Sequence, residues 1–174
     1  FRWYGQSDKA VAEADRAITL DANNPEAHSV KGYAQLFAGQ TRPALKSFDL
    51  ADRLDPENTH SRWMGRGIAR LFLGENKAAV RLLKLAVAKA PNNDWSYQWL
   101  IAAYGHLGRT EEAKTAINIM DELRRNSSET PYTQAFAVGN VRLKKARDKD
   151  LFLLGLEKAG VAAGGDPGSA KRDL

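Results

Sequence analysis

A local pattern that recurs about every 34 residues is the strongest constraint on how this chain can fold. In each copy a glycine closes one apolar segment, a small residue follows five positions later, and a second apolar segment continues from there. The marker residues of the three copies are Gly39 and Ala44, Gly74 and Ala79, and Gly108 and Ala113. The glycine spacings are 35 and 34 residues, and Gly5 and Ala10 hold the same phase upstream. Such a period, with two helical stretches in each copy, is typical of helical hairpins stacked into a solenoid.

The apolar residues between these markers are spaced three and four apart, which indicates amphipathic helices. Pro25 fits the first turn of a helix that we expect to run to about Ala38, because the missing N–H of proline is not needed there. Thr41 is expected to cap the partner helix, with Pro43 in its first turn. The small residue in each second helix lets the two helices approach closely, so neighbouring hairpins can bury a continuous apolar layer.

The period is lost after Arg125. We expect a polar connector at residues 126–129, followed by a helix that Thr130 and Pro131 start and that reaches about Gly139. A last amphipathic helix is predicted near residues 148–159.

Beyond Gly160 the chain is rich in Gly, Ala, Ser and charged residues, so we expect disorder from residue 163 onward. The sequence therefore predicts three parts: a solenoid at 1–125, a connector with C-terminal helices at 126–160, and a disordered tail at 161–174.

The phased glycine, small residue and terminal proline (Pro56, Pro91) resemble the tetratricopeptide repeat (TPR) family over residues 1–125. The resemblance implies an all-α fold, a right-handed superhelical stack of about three and a half hairpins with C-terminal capping helices. Phe1 falls in the middle of the first helix of a repeat, so we expect this chain to be a piece of a longer protein. Where the family usually buries apolar side chains, this chain has Lys31, Gln35, Arg66 and Arg70. Either these helices are rotated, or the long side chains pass the core and reach solvent.

The segment from Asp150 to Val161, which includes Gly155-Leu156-Glu157-Lys158-Ala159-Gly160, resembles the C-terminal region of bacterial, rhizobial-type class III adenylate/guanylate cyclases. In those proteins TPRs follow a catalytic domain. The resemblance implies a C-terminal regulatory part acting in signal transduction, without the paired metal-binding aspartates that a cyclase needs. TPR arrays also follow winged-helix DNA-binding domains in some bacterial regulators, which is the alternative parent.

Composition excludes several function classes. The 26 Lys and Arg against 21 Asp and Glu give a net charge of +5, but the charges are scattered, which argues against nucleic-acid binding. The absence of cysteine excludes disulfides and thiol chemistry. No apolar run is long enough to span a bilayer and no signal peptide is recognisable, so we expect no membrane association and a cytoplasmic location.

No catalytic or metal-binding constellation stands out. His28, His60 and His106 lie in different repeats at no metal-ligand spacing, so no metal is predicted. No serine has a neighbouring histidine and acid that the repeat would bring together. We therefore expect no cofactor and no enzymatic activity in this chain. Arg62, together with the two arginines four and eight residues later, forms a basic stripe that we interpret as a solvated face rather than a grip for phosphate.

The concave face is the predicted binding site, because the first helix of each TPR hairpin lines it. The candidate peptide-binding residues are Tyr33, Phe37, Met64, Ile68, Phe72, Trp95, Gln98, Trp99 and His106. Chaperone-binding members of the family hold a carboxylate with Lys, Asn and Arg at such places. Here Ser29, Tyr33, Ser61 and Gly65 stand there, so we predict no carboxylate clamp. Several of the candidates, including Met64, Ile68 and Trp99, could instead belong to the core between repeats.

An apolar face of this extent is expected to be covered. The occupant could be a partner peptide or helix, a second copy of the chain in a homodimer, or the chain's own last segment with Phe136, Leu151, Phe152 and Leu154. The sequence thus predicts a non-catalytic protein–protein interaction module. The alternative is a self-associating scaffold whose groove its own C-terminal segment fills.

Overall fold

The predicted stack of helical hairpins is confirmed. The computed structural model describes residues 7–57, 60–127, 132–141 and 143–164, and these residues form helices and no strand. The helices are α1 (Ser7–Leu20), α2 (Pro25–Phe37), α3 (Thr41–Leu54), α4 (His60–Phe72), α5 (Asn76–Lys89), α6 (Asp94–His106), α7 (Thr110–Asn126), α8 (Gln134–Asn140) and α9 (Ala146–Lys158). Helices α2 and α3, α4 and α5, and α6 and α7 pack as hairpins, and each hairpin packs on the next.

The three phased glycines stand at the bends of these hairpins. Gly39, Gly74 and Gly108 have φ angles of 79°, 78° and 66°, a region that side chains disfavour. At the first bend the Gly39 N–H donates to the Leu36 carbonyl at 3.0 Å, and the Gln40 N–H donates to the Gln35 carbonyl at 2.7 Å. The same two bonds recur at the other bends, so a glycine-dependent helix end sets the period.

One predicted helix start is wrong by a residue. Thr41 does not cap α3 but is its first residue, and Gln40 holds the cap position. The reason is the bend itself, because the Gln40 carbonyl already accepts from the Ala44 N–H at 3.0 Å. At α2 the expected arrangement holds: Pro25 is in the first turn, and the Asn24 side chain accepts from the Ala27 N–H at 3.0 Å.

Small residues let the hairpins interlock. Ala44, Ala79 and Ala113 are fully buried, as the close approach of paired helices requires. Phe48 of α3 fills the space beside Gly32 of α2, where an added Cβ would lie 2.7 Å from the Phe48 ring. The buried core is therefore a continuous layer that runs along the stack.

The polar residues at usually apolar positions of the first helices are paired rather than solvated. Gln35 accepts from the Ser47 hydroxyl at 2.8 Å, and Lys31 contacts Asp15 at 2.6 Å. Arg66 contacts Asp49 at 3.2 Å, a residue of the preceding helix. These helices therefore keep polar side chains through partners on adjacent helices.

The interpretation of the arginine stripe as a solvated face is wrong for Arg62 and Arg66, whereas Arg70 forms a partly exposed ion pair with Glu75. Arg62 is 2% exposed, and its Nε donates to Asp52 Oδ1 at 2.5 Å. Its guanidinium also donates to the Asp55 carbonyl, and Arg66 binds the other oxygen of Asp52 at 2.5 Å. The acidic residues of α3 face α4 across the boundary between two hairpins, so Arg62 and Arg66 help to hold neighbouring hairpins together.

The C-terminal helices follow the solenoid. The predicted start of α8 at Thr130 and Pro131 lies outside the described residues, and the described helix begins at Gln134. The Thr133 hydroxyl caps it by accepting from the Phe136 N–H at 3.2 Å. The Ala162 carbonyl accepts from the Gln134 N–H at 2.9 Å. The first residues of the predicted tail at 161–174 are described and make contacts: Val161 is buried, and the Ala163 carbonyl accepts from the Ala135 N–H at 3.0 Å. The rest of that tail, from residue 165 onward, lies outside the described residues.

Candidate functional site

The C-terminal segment, which we define as residues 132–141 and 143–164, lies against the first helices of the hairpins. Helix α9 packs on α6 and also touches α4, and α8 packs on α9. Upstream of α9, the Lys144 N–H donates to the Phe37 carbonyl at 3.0 Å, and Lys145 Nζ donates to the Gly39 carbonyl at 2.6 Å. The segment therefore runs from the end of α2 to α6, over the face that the sequence predicted as the groove.

Some predicted groove residues connect successive first helices. The Tyr33 hydroxyl donates to the Ser61 carbonyl, and the Tyr33 ring packs edge-on against Phe48 at 5.1 Å. Burial raises the pKa of the Tyr33 phenol. The Ser96 hydroxyl donates to the Met64 sulfur at 3.1 Å. These residues hold the repeats together, and Ile68 and Phe72 are buried with them.

Other predicted groove residues contact the C-terminal segment directly. Trp99 is fully buried, and its ring centroid lies 4.3 Å from that of Phe152. The Tyr132 hydroxyl donates to Gln98 Oε1 at 3.3 Å. His106 Nε2 lies 2.7 Å from the Leu151 carbonyl oxygen. Helix α6 therefore carries the part of the groove that α9 covers.

Three of the nine candidates keep partial exposure. They are Phe37, Trp95 and His106, whereas the other six are buried. In this arrangement Trp99 is inaccessible to a separate partner unless α9 moves away. A peptide-binding role for the nine residues stays a prediction.

Two glycines allow α6 and α9 to touch through their backbones. A Cβ atom added at Gly155 would lie 2.5 Å from the Ala102 carbonyl oxygen and 2.9 Å from His106 Cδ2. A Cβ atom at Gly105 would collide with the Gly155 carbonyl oxygen. The crossing point of the two helices thus requires glycine on both sides.

The inward face of α9 differs from the predicted one at Leu154. That side chain is 42% exposed, whereas Phe152, Leu156 and Ala159 are buried together with Gly155. The three- and four-residue spacing of these four positions explains the difference, because Leu154 falls on the opposite side of the helix. Phe136 of α8 packs under Arg124, whose guanidinium lies 3.8 Å from the ring centroid.

Three buried polar atoms near this contact have no hydrogen-bond partner among the described residues. They are Gln98 Nε2, Trp99 Nε1 and Asp148 Oδ2. Burial raises the pKa of the Asp148 carboxyl, and Lys145 and Arg147 partly oppose this effect. The contact between α6 and α9 is therefore tight in shape but incomplete in hydrogen bonding.

The contacts of Gly105, Tyr132, Asp148 and Gly155 at this site were not predicted from the sequence. One signal was available for Gly105. Gly32 in α2 and Gly67 in α4 stand at equivalent positions of the repeat and let the paired helix approach closely. The equivalent position in α6 is Ile101. Gly105 is out of phase by about one turn, which indicates a contact outside the repeat.

Other site chemistries find no support in the part of the chain that the structure describes. No group of three or more His, Asp or Glu side chains there could hold a metal ion. No helix in the described ranges has both the length and the apolar character needed to cross a bilayer.

Comparisons with known proteins identify the fold. No protein-family model and no curated protein matches the chain. The solved structure of MamA 41-end from Desulfovibrio magneticus RS-1 superposes with a TM-score of 0.62 and 22% identity, covering 98% of this chain and 89% of that one. A crystal structure of MamA gives a TM-score of 0.61 and 21% identity over 91% of this chain and 92% of that one.

At these identities the likeness carries the fold alone. It agrees with the all-helical stack of hairpins, and it lends no support to the likeness of the C-terminal segment to nucleotide cyclases. The chain is thus an all-α stack of helical hairpins with a TPR-like fold.

Proposed function

We propose that this chain is a non-catalytic protein–protein interaction module that binds a partner helix on the face of α6. The observation that carries the proposal is the contact between the Phe152 and Trp99 rings, near the point where α6 and α9 cross at Gly105 and Gly155. An amphipathic helix laid in an apolar groove, with one aromatic anchor, is a common mode of peptide recognition. Helix α9 is a built-in example of an occupant that fits this surface.

The covalent link of α9 to its own groove makes the module regulated. A tethered segment competes at an effective concentration of about millimolar, so a free partner must bind considerably more tightly to displace it. Polar contacts also hold the segment on the repeats. Lys144 Nζ contacts Asp8 at 2.8 Å, Lys145 donates to the Gly39 carbonyl, and the Leu151 carbonyl lies 2.7 Å from His106 Nε2. Release of α9 would expose Trp99, and with it the binding face.

The proposal for the parent protein rests on the sequence alone. We propose a bacterial, cytoplasmic nucleotide cyclase whose output responds to what this module binds, on the likeness of residues 150–161 to the ends of such cyclases. A winged-helix regulator is the alternative parent. The complete open reading frame would distinguish the two.

The proposal is tested with a labelled peptide of residues 143–161 added to the full chain. In the chain carrying Phe152→Ala, the internal helix loses its anchor, so the peptide should bind, whereas the unaltered chain should bind it far more weakly. A Phe152→Ala peptide should lose binding. A Leu154→Ala peptide serves as the matched control, because Leu154 faces outward, and it should bind as the parent peptide does. Fluorescence anisotropy measures the binding, and circular dichroism checks the fold.

Failure of every peptide to bind the folded, opened chain would refute the proposed binding face. Stable dimers of the opened chain would instead favour the self-associating scaffold.

A further inference from the structure

Helix α6 presents two buried N–H donors that α9 does not satisfy. Gln98 Nε2 and Trp99 Nε1 have no hydrogen-bond partner among the described residues, and both side chains are enclosed. Both lie at the contact with the C-terminal segment, because Gln98 Oε1 accepts from the Tyr132 hydroxyl and the Trp99 ring packs on Phe152. Trp99 therefore carries an unpaired donor and packs on a phenyl ring of α9, and Gln98 carries a second unpaired donor beside its contact with Tyr132.

The occupant also carries an unpaired acceptor. Asp148 stands one helical turn before Phe152 on the buried side of α9, and its Oδ2 is also without a hydrogen-bond partner among the described residues. Leaving a buried donor or acceptor unpaired costs more than a formed hydrogen bond returns. Helix α9 thus fits the groove in shape while leaving polar groups unpaired on both sides of the contact.

The shape requirement is independent of the hydrogen bonds. Any helix that follows the path of α9 brings its backbone against Gly105 and the Ala102 carbonyl, where only a glycine avoids a collision. This requirement gives the occupant a fixed register relative to Gln98 and Trp99.

We propose that the preferred partner is a helix with glycine at the α6 crossing and a hydrogen-bond acceptor side chain, Asp, Glu, Asn or Gln, that meets the N–H groups of Gln98 and Trp99. The inference rests on the proposed function and names the partner class for the same site. In that view α9 is a weaker internal ligand, which a better-matched helix displaces.

The test uses the Phe152→Ala full chain and the peptide of residues 143–161. Single Gln substitutions are placed in the peptide within one turn of the anchor, at positions 148, 149, 151, 153 and 156. Gln supplies an uncharged acceptor and is a good helix former. At least one Gln peptide should bind about tenfold more tightly than the parent peptide, because it pairs donors that the parent leaves unmet.

The donors are then removed from the chain. With Gln98→Leu and Trp99→Phe added to the opened chain, the tenfold advantage of the Gln peptide over the parent peptide, both measured on this variant, should vanish, even though the altered Trp99 contact weakens the binding of both peptides. A parent peptide carrying Gly155→Leu should not bind at all. If Phe152→Ala prevents folding, Gly155→Leu in the full chain opens the groove by the collision with Ala102, and the same peptides are used.

The possible outcomes separate the acceptor proposal from the proposed function. If the parent peptide binds and no Gln peptide exceeds it, the acceptor proposal is overturned while the proposed function stands. A gain that survives removal of both donors also overturns it. If no peptide binds, the proposed function itself fails. A complex between opened and unaltered chains that is tighter than any peptide complex would make a second copy the occupant and would overturn the partner helix proposed here.

Discussion

The crossing of α6 and α9 makes a sharp prediction about Gly155→Ala. Two effects oppose each other there. Alanine in place of glycine inside a helix gains about 1 kcal/mol of helix propensity. The added Cβ atom, however, would lie 2.5 Å from the Ala102 carbonyl oxygen, whereas ordinary contacts begin at 3.4 Å. The helices must therefore separate by roughly 0.9 Å at this contact.

The steric effect should win. Overpacking of a well-packed contact costs about 1–3 kcal/mol, and the upper end applies here because a helix backbone cannot rotate away as a side chain can. The expected net loss is about 1–2 kcal/mol in the free energy that holds α9 on α6. For a chain of 174 residues, a loss of 1 kcal/mol lowers the melting temperature by about 2–4 °C.

Urea unfolding and amide hydrogen exchange measure the effect. Exchange in α9 should accelerate about tenfold for each 1.4 kcal/mol lost, whereas exchange in α3 and α5 should change little, because a solenoid is held by neighbouring contacts. Gly139→Ala is the matched control: a Cβ atom at Gly139 in α8 meets nothing within 4 Å, so this variant should keep its gain in propensity. Equal stabilisation by both substitutions would refute the close crossing.

Two further predictions concern buried charge. Arg62→Met removes a buried guanidinium that binds Asp52 within the stack and should lower the free energy of unfolding by about 2 kcal/mol. Arg70→Met removes a partly exposed ion pair and should lower the free energy of unfolding by less than about 0.5 kcal/mol. Equal losses for the two variants in urea unfolding would contradict this difference. Because burial raises the pKa of Asp148 above its ordinary value of 3.8, the charged carboxylate opposes folding at pH values above 3.8. Asp148→Asn should therefore stabilise the chain at pH 7, and this advantage should shrink as the pH falls toward 3.8 and be absent below it. A benefit that persists unchanged at low pH in thermal unfolding would rule out this origin.

The fold was largely predictable because its signals are local. The positive φ angles at Gly39, Gly74 and Gly108 follow from a helix end that glycine favours, and the buried alanine five residues later follows from the approach of the paired helix. The burial of Arg62 was not predictable in this way. Its partner Asp52 lies on the preceding hairpin, and spacing along one helix does not report what faces it.

The candidate site was predictable only in part. The sequence identified α6 as a groove helix and named Trp99 and Gln98, and it named Phe152 as a residue of a segment that could fold back. It placed Leu154 on the wrong side of α9, because the short apolar run at residues 151–154 leaves the buried face ambiguous. The packing of α9 against α6 was needed to determine which face of α9 is buried.

The sequence by itself determined the repeating unit: where helices begin and bend, and which small residues lie between them. These features depend on residues within about one period of each other, so the chain's own spacing records them. Only the tertiary structure decided what fills the groove, since Lys145 meets Gly39 and Phe152 meets Trp99 across long stretches of chain. Contacts between distant segments depend on the fit of two surfaces, which no local pattern encodes.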